Sequence, residues 1–112
     1  MTKIEAIIRP ELVEATKKAL DKAGYHGLTL IDVSGHGQQR GVTQNWRGGK
    51  YSLDMIPKMM LILVVPDSKA KKVVDAIVKT ARSGKIGDGK IFLSKIQDAV
   101  RVRTGERGQK AL

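Results

Sequence analysis

Cysteine is absent from the 112 residues, so neither disulfides nor thiolate metal ligands are available, and a reducing cytoplasm is the expected setting. Aromatic residues make up only 4% of the chain, which leaves too few rings for a strand-borne platform that stacks nucleobases. No stretch approaches the ~20 consecutive apolar residues that a membrane-spanning helix needs. The opening Met1-Thr-Lys-Ile-Glu-Ala-Ile-Ile-Arg-Pro10 places an acid inside its apolar run and reaches proline at once, unlike a secretory leader. Acidic residues are scarce relative to basic ones, 11 against 21, and the net charge of +10 favours polyanionic partners: nucleic acid, acidic lipid or phosphorylated small molecules. Much of the lysine, however, falls on predicted helix faces (Lys17, Lys18, Lys22, Lys69, Lys71, Lys72, Lys79), where a solvated surface accounts for it. Charge alone therefore assigns no function.

What is present fits one α+β domain over residues 1–112, a size that buries about two-thirds of the unfolded surface. Residues 3–9 alternate and are rich in isoleucine, as in a strand; Pro10 then opens a segment whose Leu12, Thr16, Ala19, Leu20 and Ala23 recur at helical spacing, with Gly24 as the stop. A second strand is expected over 28–33, ending at Ser34-Gly35. From His36 to Lys58 neither period is visible among four glycines and many polar groups; a structureless stretch of that length is usually functional, and it is expected to be a long regulatory loop. Met59 to Val65 is a continuous apolar run closed by Pro66, hence a buried strand. Ser68 is expected to cap the next helix, with Val73, Val74, Ile77, Val78 and Ala81 as its buried stripe. A glycine-rich turn over 83–90 leads to a strand at 91–93, an extended piece over 99–103, and a polar tail from 104 to 112.

The order strand, proline-opened helix, glycine stop, strand occurs twice, from residue 3 and again from residue 59. Two such βαβ halves fold into a ferredoxin-like sandwich of four antiparallel strands with both helices on one face. The other face, carrying Ile62 and its apolar neighbours, is then bare, and oligomerisation is expected to cover it, the alternative being an open sheet used as a binding platform.

Gly84-Lys-Ile-Gly-Asp-Gly-Lys90 matches the G-x-x-x-x-G-K core of a phosphate-binding loop, whose glycines free backbone N–H groups while lysine adds charge. Ile91 stands where magnesium-binding Ser or Thr would follow, and the segment runs from helix to strand, the reverse of the hydrolase order. A phosphate nest without hydrolysis is the expected reading. On an extended segment, Arg101 and Arg103 would share a face and could grip phosphate bidentately. His26 and His36 stand apart with no acidic neighbours at ligand spacing, so no protein-only metal site is expected, and no catalytic constellation is visible.

The segments Thr80-Ala-Arg-Ser-Gly-Lys-Ile-Gly-Asp-Gly-Lys-Ile-Phe92 and Val100-Arg-Val-Arg-Thr-Gly-Glu106, with Gly35-His-Gly-Gln-Gln39 and Trp46-Arg-Gly48 to Tyr51, resemble the PII family of nitrogen regulatory proteins. The resemblance implies a cytoplasmic homotrimer of ferredoxin-like subunits that binds ATP or ADP in clefts between neighbours. By position, Gly35, Gly37, Gln38 and Gln39 with Gly87, Asp88, Gly89 and Lys90 would hold the phosphates. Arg101, Val102 and Arg103 would complete that side, while Thr29 and Val64 would line the adenine and ribose. The resemblance further implies that Gln39 helps hold Mg2+ between ATP and 2-oxoglutarate, and that Lys58 and Gly41 contact the oxoacid. The loop tip, with Trp46, Arg47 and Tyr51, would meet a protein target such as an ammonium channel, another transporter or a metabolic enzyme; Tyr51 stands where some members are uridylylated. The chain departs from the family at Gln38, commonly Arg, at Ile62, often acidic, and at Lys50, often Glu. A regulator of another transport or carbon pathway, a basic nucleic-acid module and a small hydrolase are the competing readings.

Overall fold

The computed structural model describes residues 1–36, 42–46, 49–53 and 55–112, with backbone alone for 42–46 and 49–53. Its first strand, β1 (Thr2–Ile8), buries Thr2, Ile4, Ala6 and Ile8 and leaves Lys3, Glu5 and Ile7 half-buried on the other side, the two-residue period expected of a half-covered sheet. Pro10 sits at the start of a 3-10 turn, Pro10–Leu12, which runs into α1 (Val13–Lys22). Thr16 is fully buried and donates its hydroxyl to the Leu12 carbonyl at 2.8 Å, so its polarity is satisfied inside the helix. Gly24, at φ +94°, turns the chain out of α1 while Tyr25 N–H bonds the Leu20 carbonyl, as a left-handed C-terminal residue should.

Strand β2 (Thr29–Gly35) follows, then a separate two-stranded ribbon of β3 (Val42–Trp46) and β4 (Gly49–Leu53), then β5 (Ile56–Val65), α2 (Asp67–Ala81) and β6 (Lys90–Lys95). The stretch expected to be structureless thus contains a hairpin ladder, registered from Val42 opposite Leu53 to Trp46 opposite Gly49. No apolar period announced it because backbone pairing in a ribbon needs no buried face, and Val, Thr, Tyr and Trp suffice as strand formers. The next strand likewise starts at Ile56, ahead of Met59, and accommodates Pro57.

The main sheet has the order β2-β5-β1-β6, every pair antiparallel. Ile4 lies across from Leu63 and Leu93, Ala6 from Leu61 and Ile91, and Leu30 from Leu61. This face meets Val13 and Leu20 of α1 and Ala70, Val73, Ile77 and Ala81 of α2 in one core. Both helices therefore lie on one face, the ferredoxin-like arrangement. The buried stripe of α2 includes Ala70 and leaves Val78 41% exposed, because Val78 points toward the uncovered edge at β6.

Ser68 does not cap α2. The helix begins two residues earlier than such a cap would place it, at Asp67 with Pro66 at the cap position, so Ser68 falls within the first turn. Asp67 complements the helix dipole there and ties the sheet to the helix, accepting from Thr2 Oγ1 at 2.5 Å, Lys95 at 3.0 Å and the Met1 amine at 3.2 Å. These donors, the Thr2 hydroxyl foremost, hold its carboxyl well below the usual carboxylate range.

The extended piece expected over 99–103 is a compact turn instead. Val100 forms one bridge with Arg107, Gly105 N–H returns to the Arg101 carbonyl, and Asp98 accepts from Arg107 and from the Ala99 and Gly108 amides. Gly105 and Gly108 take positive φ and allow the reversal, which a strand reading based on alternating Val and Arg could not foresee.

Candidate functional site

The glycine-rich loop between α2 and β6 is shaped from both ends. Arg82 leaves the helix in an extended conformation, and Gly84, Gly87 and Gly89 all take positive φ, which glycine alone adopts without strain. At Gly89 the requirement is absolute in space as well, since a Cβ would lie 1.7 Å from the Ile7 carbonyl oxygen. That close approach lets Lys90 enter β6 directly opposite Ile7, with its side chain on the sheet face away from the helices.

Asp88 turns its carboxylate into the loop. Oδ2 accepts from the Ser83 and Gly84 amides at 2.9 and 2.8 Å, while Oδ1 accepts from the Ser83 hydroxyl and from Arg9 Nε at 3.2 Å. The Ser83 hydroxyl oxygen accepts in turn from Lys85 N–H at 3.1 Å, and the Arg9 guanidinium also donates to the Ile86 carbonyl at 2.9 Å. The Ser83 hydroxyl, the Ser83 and Gly84 amides and Arg9 hold the Asp88 carboxyl well below its ordinary range.

A cleft of about 420 Å³ opens beside this loop, lined by Gly35 and His36 at the end of β2, by Lys58, and by Lys85 through Lys90. Three lysines, Lys58, Lys85 and Lys90, converge on it. Lys58 donates to the Gly87 carbonyl, so the strand and the loop are joined across the cleft floor. Burial, and next the Arg9 charge, lower the pKa of Lys58, which marks a position where an added negative charge is favoured.

Of the residues singled out in the sequence, the fold brings Gly35, Lys58, Gly87, Asp88, Gly89 and Lys90 together at this cleft. Thr29 and Val64 lie elsewhere, on the open face of the sheet, where Thr29 is opposite Ile62 and Val64 opposite Lys3. Arg101, Val102 and Arg103 do not share a strand face. Arg101 binds Glu106 Oε1 at 3.1 Å and the Lys110 and Leu112 carbonyls, while Val102, in the following turn, is 99% exposed. None of the three lines this cleft. Gly37, Gln38, Gln39, Gly41 and Arg47 lie outside the described residues; Trp46 and Tyr51 end and centre the ribbon strands, Tyr51 opposite Gln44. Sequence reasoning missed Arg9 and Ser83. The only signal for Arg9 was its place between an alternating strand and Pro10.

A family model described as nitrogen regulatory protein P-II matches residues 1–106. The chain belongs to the P-II family. It is 50% identical to nitrogen regulatory protein P-II 2 of Methanothermobacter thermautotrophicus, over all of this chain and 97% of the relative. It is 47% identical to the P-II protein of Rhodobacter capsulatus and 46% identical to that of Pyropia yezoensis, with both chains covered completely in each case. Membership in P-II makes a role in signal transduction the function at its coarsest, and the glycine-rich loop with its cleft lies within the matched span. Among the described residues, no helix is long and apolar enough to cross a membrane.

Proposed function

We propose that the chain works as a cytoplasmic homotrimer that binds ATP or ADP, senses 2-oxoglutarate, and passes their state to a target through residues 36–58. The supporting observation is the cleft itself: a loop with positive-φ glycines at 87 and 89, facing Lys58, Lys85 and Lys90, offers amides and cations to a polyphosphate. Gly35, Gly37, Gln38 and Gln39 would close the near side. Arg103 and the Arg101–Val102 turn, which do not line their own cleft, would approach that of a neighbour, and Thr29 and Val64 on the open sheet face would border the adenine and ribose.

Lys58, whose charge is disfavoured by burial and by Arg9, would gain most from a carboxylate, which suits the oxoacid role, with Gly41 beside it. Mg2+ would take its oxygen ligands from the nucleotide phosphates, the oxoacid and Gln39; the donor set at the described part of the cleft, amides and ammonium groups around an occupied Asp88, suits the anion rather than a bare metal. The target is an ammonium channel, another transporter or an enzyme of nitrogen metabolism, met by the ribbon that carries Trp46, Arg47 and Tyr51, with Tyr51 open to covalent modification.

Calorimetric titration with ATP, ADP and AMP, with and without Mg2+ and 2-oxoglutarate, tests this reading. Submillimolar ATP binding is expected, lost in Lys90→Ala and Arg103→Ala, with Lys58→Met abolishing the 2-oxoglutarate response and weakening ATP binding as well. Full ATP affinity in both of the first two variants would overturn the site assignment.

A further inference from the structure

An acid in the middle of an anion-binding loop is at first sight misplaced, because a carboxylate facing a phosphate repels it. Here the carboxylate faces the other way: Asp88 accepts from the Ser83 and Gly84 amides and from the Arg9 guanidinium, and its charge is matched by Arg9 at the end of β1. Ser83 occupies the centre of this network. It gives both its amide and its hydroxyl to Asp88 and accepts the Lys85 amide, so one side chain fixes the loop on either side of Gly84. Resting on the nucleotide reading of the cleft, we infer that Ser83 is a positioning residue: with the inward carboxylate of Asp88, it holds residues 84–89 in their ligand-ready shape before any phosphate arrives. The Asp88 side chain then contributes to affinity through this network, and the contact with ligand is left to the loop amides and to Lys90.

A loop ordered in advance loses less conformational freedom on binding, so its release should appear both in the free protein and in affinity. The experiment uses the full chain, Ser83→Ala, Ser83→Thr and Asp88→Asn, with amide hydrogen exchange of residues 84–90 in nucleotide-free protein and ATP titration of each. Ser83→Ala is expected to exchange about tenfold faster in this segment and to bind ATP about five- to tenfold more weakly, with a small fall in the denaturation midpoint from the lost bond to Asp88. Ser83→Thr, which keeps the hydroxyl, is expected to restore both quantities to within about twofold of the parent, and Asp88→Asn to follow the alanine variant. Unchanged loop exchange in both Ser83→Ala and Asp88→Asn would overturn the inference, and so would weaker ATP binding without faster exchange, which would signal direct contact with ligand. If the parent itself bound no nucleotide while loop exchange responded as stated, the cleft reading would fail and the positioning role would stand.

Discussion

Single residues carry much of the site's shape, and Gly89 is the most constrained of them. With φ at +102° and the Ile7 carbonyl where a Cβ would stand, Gly89→Ala is expected to cost about 3 kcal/mol through backbone strain and forced separation of β1 from the loop. Urea unfolding followed by circular dichroism checks this; a loss within error of zero would mean that the backbone yields freely. Three carboxylates among the described residues act together on pH dependence. Asp67, Asp88 and Asp98 all have folded pKa values below their unfolded value of 3.8, so between the two the unfolded chain binds more protons. Their stabilisation is present above about pH 4 and is lost as the medium is acidified through the lower folded values. Urea midpoints measured from about pH 6 down to about pH 2 should fall below about pH 4, less steeply in Asp88→Asn. A flat profile in the parent would contradict the assigned hydrogen bonds.

Among the elements, α2 links core and site, because its buried stripe fixes the origin of the glycine loop. Ile77 is fully buried in the core, and Ile77→Ala should destabilise the fold by about 2–5 kcal/mol, read from the urea midpoint. Val78→Ala, on the exposed flank of the same helix, should cost under about 1 kcal/mol. Comparable losses from both would mean that the helix is seated differently. The C-terminal turn is an element of another kind, held by Asp98 and Arg101 bonds at exposed positions rather than by core contacts. Its alternating Val-Arg-Val-Arg sequence is locally compatible with a strand; the glycines at 105 and 108, together with those bonds, turn it back on itself.

At the scale of the whole molecule, the sheet has two unlike faces. One is sealed by α1 and α2; the other shows Ile31 and Phe92, 39% and 54% exposed, beside half-buried Met60, Ile62 and Val64. An apolar face of this extent is stabilised by covering it, which is why association of three subunits belongs to the proposed function. Sedimentation equilibrium is expected to give a trimer, and Ile31→Glu, which places a charge on that face, is expected to shift the mass toward the monomer and abolish ATP binding while the circular dichroism spectrum is retained. A monomeric parent with full nucleotide affinity would refute the inter-subunit site.

The two βαβ halves, the sidedness of the first strand, the glycine stop at Gly24 and the location of the glycine-rich loop were legible in the sequence, because each of these rests on local periodicity or on the backbone freedom of glycine. The sequence did not determine which polar residues meet. Arg9 and Asp88 are 79 positions apart, and only the pairing of β1 with β6 brings them together; the same pairing excludes a side chain at Gly89. Nor could spacing alone decide that Arg101 turns to the C-terminal residues, or that β3 and β4 pair, since hydrogen-bonded ladders and ion pairs are satisfied between segments while periodicity reports only what one segment buries.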